Sequence, residues 1–179
     1  MTTQLAILAL LGALNSGRTR ASAPMDTTMR GPALVACLGA LVALIVAFSW
    51  LSDPILDTLG VSQPNARIAA GIALLIVAAH DLFGAAPTPE PGLSGPLAGL
   101  VPMAFPVAFT PASAALAIAI GVDHGVVTTV GVATPALAVV AVVTLAPIPS
   151  SLSPWVTRFT AMLASVVGIL VTLDGVRSI

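Results

Sequence analysis

From Pro91 to Val122, and again from Gly125 to Thr157, the chain runs without a formal charge. That feature limits the folds open to it more than any motif does. Soluble domains carry about 25% charged residues; here the share is 7%, with 58% apolar residues and neither lysine nor tyrosine. A soluble fold of 179 residues with this composition would expose contiguous apolar surface and aggregate. A stretch of about 18 or more mainly apolar residues is instead long enough to cross a bilayer. The chain is therefore expected to be an all-α, polytopic integral membrane protein, with the lipid bilayer as its first partner.

The same counts exclude several functions. A net charge of −1 without a basic run leaves no electrostatic footprint for nucleic acid. One cysteine, Cys37, rules out an intramolecular disulfide and a cysteine-rich metal cluster. No GxxxxGK[ST] loop occurs, so energy from ATP would have to come from a partner. No metal or other cofactor is expected. The first 17 residues carry no charged side chain, whereas a secretory signal opens with a positive region, so Ala21-Ser22-Ala23 is not read as a cleavage site.

Six apolar segments can be drawn, at about 3–15, 31–50, 64–84, 98–121, 125–146 and 156–176. Their lengths suit helices, not the tilted strands of about 10 residues found in membrane barrels. Two are clean: residues 31–50 are uncharged and close on Trp50, and fifteen uncharged residues separate Arg158 from Asp174. The first segment is too short to cross alone and runs into Asn15-Ser16-Gly17, then Arg18 and Arg20. The fourth carries Pro102, Pro106 and Pro111 with Thr110 and Ser113. Interior prolines remove backbone donors and break helices. Inside a membrane such breaks survive only where protein, polar side chains or water satisfy the freed groups.

A Pro/Gly-rich linker at 85–97, holding Glu90, divides the chain into 1–84 and 98–179 with three segments each. An odd number of spans per half gives the halves opposite orientation if they are structural repeats. Segment three places Asp81 fourteen residues after Arg67, and segment six places Asp174 sixteen after Arg158. The broken first and fourth segments hold matching positions. Interrupted segments in matching places of two halves point to a transporter of two inverted repeats with a midplane site. Arg18, Arg20, Arg30 and Arg158 fall on one side of such a layout, Arg67 and Arg177 on the other. The richer side is expected to be cytoplasmic, which places both termini outside.

A half-helix that starts inside the membrane aims free N–H groups and its positive dipole end at the cavity. That suits a substrate carboxylate, while hydroxyls and an amide carbonyl receive an ammonium group. Asn15, Ser16 and Gly17 in one half, with Thr110, Pro111, Ala112 and Ser113 in the other, supply these groups without a buried charge. The competing reading is that the prolines kink a packed helix while the hydroxyls bond their own backbone. Arg67, Arg158, Asp81 and Asp174 are candidates for gating or coupling, because ionisable groups so near a span are functional by default; snorkelling to the interface is the alternative. At 100° per residue Arg67 and Asp81 lie about 40° apart on their helix, Arg158 and Asp174 about 160°. His80-Asp81 and Asp123-His124 pair imidazole with carboxylate and could carry a proton, or be solvated loop residues. Gly92-Leu93-Ser94-Gly95 matches the GxSG run of intramembrane proteases, but the sole later histidine, His124, sits in a connection. No enzyme is expected.

The stretches 54–84 (PILDTLGVSQPNARIAAGIALLIVAAHDLFG), 155–179 (WVTRFTAMLASVVGILVTLDGVRSI) and 102–121 (PMAFPVAFTPASAALAIAIG) resemble the MarC family of small integral membrane proteins. The shared features are the Leu-Gly-Val-Ser turn followed by Arg-Ile-Ala-Ala-Gly, the Thr-Arg opening and Leu-Asp-Gly close of the last helix, and the Pro-rich interrupted helix. The chain departs from the family pattern at Ser16, where a proline is usual, and at Thr110 and Ala112, where glycines are usual. The resemblance implies six spans in a bacterial plasma membrane and a transporter or exporter of small neutral amino acids such as glycine or alanine. Alternating access would be driven by a proton or sodium gradient. A runner-up reading is a translocator of anionic lipid or isoprenoid-phosphate head groups using Arg67 and Arg158; a third is a membrane scaffold. Gly and Ala along nearly every segment predict close helix packing, within a protomer and in a homo-oligomer.

Overall fold

The computed structural model describes residues 1–23, 27–84, 96–147, 149 and 152–179. The described residues form helices and no strand. They are α1 (Thr3–Leu14), α2 (Ser16–Ala21), α3 (Thr27–Trp50), α4 (Ser52–Leu59), α5 (Gln63–Phe83), α6 (Pro96–Ala98), α7 (Pro111–Leu145) and α8 (Ser153–Val176). Between α6 and α7, Gly99–Ala108 forms wide helical turns interrupted by extended backbone at Val101 and Phe105. Most of the linker at 85–97, with Glu90 and the GxSG run at 92–95, lies outside the described residues.

Four helices are long and apolar enough to cross a membrane: Arg30–Trp50, Gln63–Phe83, Pro111–Leu145 and Ser153–Val176. Their outward faces carry large apolar side chains, with Val35, Val127 and Phe159 each more than 70% exposed. Such faces belong against lipid, and the chain is a membrane-embedded helical protein. α7 is straight only in parts. Gly125 has φ 75° and ψ 170°, a conformation essentially confined to glycine, and it divides α7 into arms at 111–124 and 126–145. The expected fourth and fifth segments are thus joined by a sharp bend with no loop between them. The short α4, not distinguished in the sequence, buries Ser52 and Leu56 and exposes Asp53 and Asp57.

Small residues set the packing, as expected where lipid removes any hydrophobic drive between helices. α5 and α8 run antiparallel in backbone contact: a Cβ on Gly71 would lie 2.7 Å from the Thr172 nitrogen, and one on Gly175 2.9 Å from the Pro64 oxygen. α1 and α2 continue over α8 in one direction, with Gly12 against Ala164 and Gly17 against Thr157. The broken stretch 96–124 follows α3 from end to end. Gly99 abuts Ala33, the Phe109 ring lies 5.4 Å from that of Phe48, and Gly121 abuts Ser49. Ala33 to Ser49 is about 24 Å of helix.

Adding a branched side chain at this α5–α8 contact has nowhere to go. Gly71→Val is expected to destabilise the folded protein by about 1–3 kcal/mol, read as a lower midpoint of thermal unfolding in detergent. An unchanged midpoint would mean that α5 and α8 are not held this close.

Candidate functional site

Buried polar groups mark two helix breaks and two ion-pair clusters, with Ser49, Ser52 and Thr129 forming a further group near the α7 bend. The first break is at Asn15, whose φ of 32° and ψ of 87° end α1 and start α2. Asparagine tolerates this left-handed backbone because its short amide bonds locally. Its Oδ1 accepts the Arg18 backbone N–H at 3.2 Å, and its Nδ2 donates to Asp81 Oδ2 at 2.8 Å and to the Thr157 carbonyl at 3.5 Å. Arg18 donates from Nη1 to Asp81 Oδ1 at 3.1 Å and from Nη2 to the Ala13 carbonyl at 3.4 Å. Thr19 Oγ1 serves the carbonyls of Leu14 and Asn15. The carbonyls that α1 leaves at its end are therefore met by side chains of α2, and α5 supplies the counter-charge. Asn15, Ser16, Arg18 and Thr19 are all buried. His80, largely exposed, reaches Asp81 with Nδ1 at 3.5 Å.

The second break spans Phe109 and Thr110. Pro111 opens α7 and Thr110 caps it: Thr110 Oγ1 accepts from the Ser113 backbone at 3.3 Å, and Ser113 Oγ accepts from the Thr110 backbone at 3.3 Å. The Ser113 hydroxyl also reaches the Ala108 carbonyl at 3.3 Å. Thr110, Ala112 and Ser113 are buried. The Thr110 and Ser113 hydroxyls are engaged with local backbone, whereas Asn15 reaches across to α5 and α8. Both α1 and the 111–124 arm extend from a break toward Asp123; at 1.5 Å per residue each is about 20 Å long.

That far end holds the second ion cluster. Arg67 donates to Asp123 Oδ1 from Nη2 at 2.9 Å and from Nε at 3.2 Å, and to Asp174 Oδ2 from Nη1 at 3.3 Å. The Gln63 amide also donates to Asp123, and the Met1 ammonium lies 3.1 Å from Asp123 Oδ2. The His124 ring bonds the Met1 carbonyl at 2.8 Å. The Asp123 carboxylate is 2% exposed and that of Asp174 33%.

Arg67 and Asp81, on one helix, do not meet; each bonds to other helices, and together they tie both ends of α5. Arg67 and Asp174 join as a cross-helix pair. Arg158 is exposed, with its guanidinium 5.9 Å from the centre of the Trp155 ring. The sequence assigns no site role to Arg18, and it offers Asp123 only as a proton carrier with His124 or as a solvated loop residue. Arg18 reads as a loop arginine beside Arg20, although it lies three residues after an N-capping asparagine, which places it in the first turn of a new helix. Asp123 reads as a loop residue because the helix beginning at Pro111 was ended too early. Ser16 and Gly17 are packed against α8 at the first break, with a Gly17 Cβ falling 2.7 Å from the Thr157 Cα. Comparison with protein-family models, characterised proteins and solved structures finds no match.

The two aspartates at the far end should respond differently to loss. Asp123→Ala removes the buried carboxylate shared by Arg67, Gln63 and the Met1 ammonium, leaving Arg67 only its Asp174 pair, and is expected to cost about 3 kcal/mol. Asp174→Ala removes a partly solvated pair and should cost about 1 kcal/mol or less. Denaturant unfolding of both variants checks this, and equal losses would refute the burial difference.

Proposed function

We propose that the chain is a secondary transporter of small neutral amino acids that works by alternating access around its two helix breaks. The observation that carries this reading is the pair of buried breaks, Asn15-Ser16-Gly17 and Thr110-Pro111-Ala112-Ser113, one in each half of the chain. Broken helices in matching places are how inverted-repeat transporters build a substrate site. The resemblance to MarC proteins supplies the substrate class and the bacterial plasma membrane.

The path of the chain supports three crossings per half, at residues 1–21, 27–50 and 63–83, then 96–124, 126–145 and 153–176. Met1 lies by Asp123, and the Arg20 guanidinium reaches the carbonyls of Val143, Thr144 and Ala146 at 2.8, 3.1 and 2.5 Å. The first broken helix thus travels as far as the 126–145 arm, about 29 Å by helix rise. On this reading Arg18, Arg20, Arg30 and Arg158 lie at the cytoplasmic end and the termini outside. A substrate carboxylate would meet the N-terminus of the 111–124 arm, with its ammonium toward the Asn15 amide carbonyl.

The ion clusters are the gates of this scheme. The Asp81–Arg18 pair closes one end, and the Arg67–Asp123 pair closes the other. The lipid-phosphate alternative has less support, because Arg67 is already held by two carboxylates and is not paired with Arg158. A proton or sodium gradient would drive the cycle, and no cofactor takes part.

Uptake of labelled glycine and alanine into proteoliposomes, under imposed proton or sodium gradients, tests the reading. Gradient-dependent uptake is expected, falling at least about tenfold in Thr110→Leu, which removes the capping hydroxyl and fills the break. No uptake by folded protein under any gradient would remove the amino acid claim.

A further inference from the structure

The first break has the makings of a cation site. A helix C-terminus concentrates partial negative charge on its last carbonyls, and α1 ends here inside protein. Asp81 adds a full negative charge, and both its oxygens point at the break. In broken-helix transporters, half-helix C-termini and unwound carbonyls hold the coupling cation. Here that place is filled by the chain itself. The Arg18 guanidinium sits between Asp81 Oδ1 and the Ala13 carbonyl, at 3.1 and 3.4 Å. It is buried, and its Nε has no hydrogen-bond partner. A buried guanidinium that leaves a donor unmet fits its surroundings imperfectly, as expected of a group occupying oxygens suited to a smaller ion.

We infer that Arg18 is a tethered cation: its guanidinium occupies a monovalent-cation site formed by Asp81 and the Ala13 carbonyl at the C-terminus of α1, so the protein needs no free cation there. This rests on the transport reading only for its meaning in the cycle, where it removes a sodium requirement at the first break. The site itself can be tested without transport. Removing the guanidinium leaves Asp81 and the Ala13 carbonyl unbalanced, and an alkali cation can then enter.

The test is thermal unfolding of purified protein in detergent, in sodium chloride or potassium chloride against choline chloride at equal ionic strength. The variants are Arg18→Ala, Arg18→Gln as the bulkier replacement, and Arg18→Ala with Asp81→Asn. The wild type and the double variant should not distinguish the salts. Arg18→Ala or Arg18→Gln should unfold about 5 °C or more higher in an alkali salt, the shift expected when a ligand binds only the folded state well above its Kd. Folding of these variants in alkali salt but not in choline counts as the same result. Equal midpoints in all salts, failure of both to fold in any salt, or a salt effect that persists without Asp81 would overturn the inference. Because no step measures uptake, an absence of amino acid transport leaves this result standing, and the reverse also holds.

Discussion

A carboxylate taken out of water has to be met by donors, and in a chain with so few charges each such meeting fixes a helix. Asp81 and Asp123 are the two most buried carboxylates in the ion pairs, with 4% and 2% side-chain exposure. Each bonds across helices to an arginine and to an amide, Arg18 with Asn15 in one case and Arg67 with Gln63 in the other. Leaving any of these groups alone in low dielectric would cost several kcal/mol. The positions of α2, α5 and the bend in α7 follow from these pairings as much as from apolar packing.

The glycine contacts decide what the ion pairs can do. α5 and α8 meet through Gly71, Gly168 and Gly175 with backbone atoms close together, so they behave as one body. The Arg67–Asp174 pair lies inside that body. The Arg18–Asp81 and Arg67–Asp123 pairs leave it, at opposite ends, toward α2 and α7. Polar links that cross between packed bodies at both ends of a helix suit a protein that opens one end at a time. They also explain how so apolar a chain keeps ionisable groups near its spans.

Much of this architecture was legible in the sequence. Apolar runs located α3, α5 and α8, α7 was read as parts of two segments, and Asn15 and Pro111 marked the two breaks. What the sequence could not supply was partnership across helices. Helical periodicity places Arg67 and Asp81 near one face of their own helix, but it says nothing of which helix lies opposite. Arg18 therefore looked like an orienting loop charge and Asp123 like a solvated one. Gly125 falls at the connection drawn between the fourth and fifth segments, and only its positive φ shows that connection to be a bend within one continuous helix. Arg158, symmetric with Arg67 on paper, lies over the Trp155 ring instead of in either ion cluster.

Alternating access, as proposed, requires the two ends of α5 to open in turn. Electron–electron distance measurements on spin labels test it directly, with one pair at Asn65 and Val127 near the Asp123 end and another at Phe83 and Leu145 near the Asp81 end. In liposomes, saturating glycine under an imposed gradient should shift the two distance distributions in opposite directions, one end widening as the other closes. Distances that stay single and unmoved at both ends, or that widen together, would contradict the account.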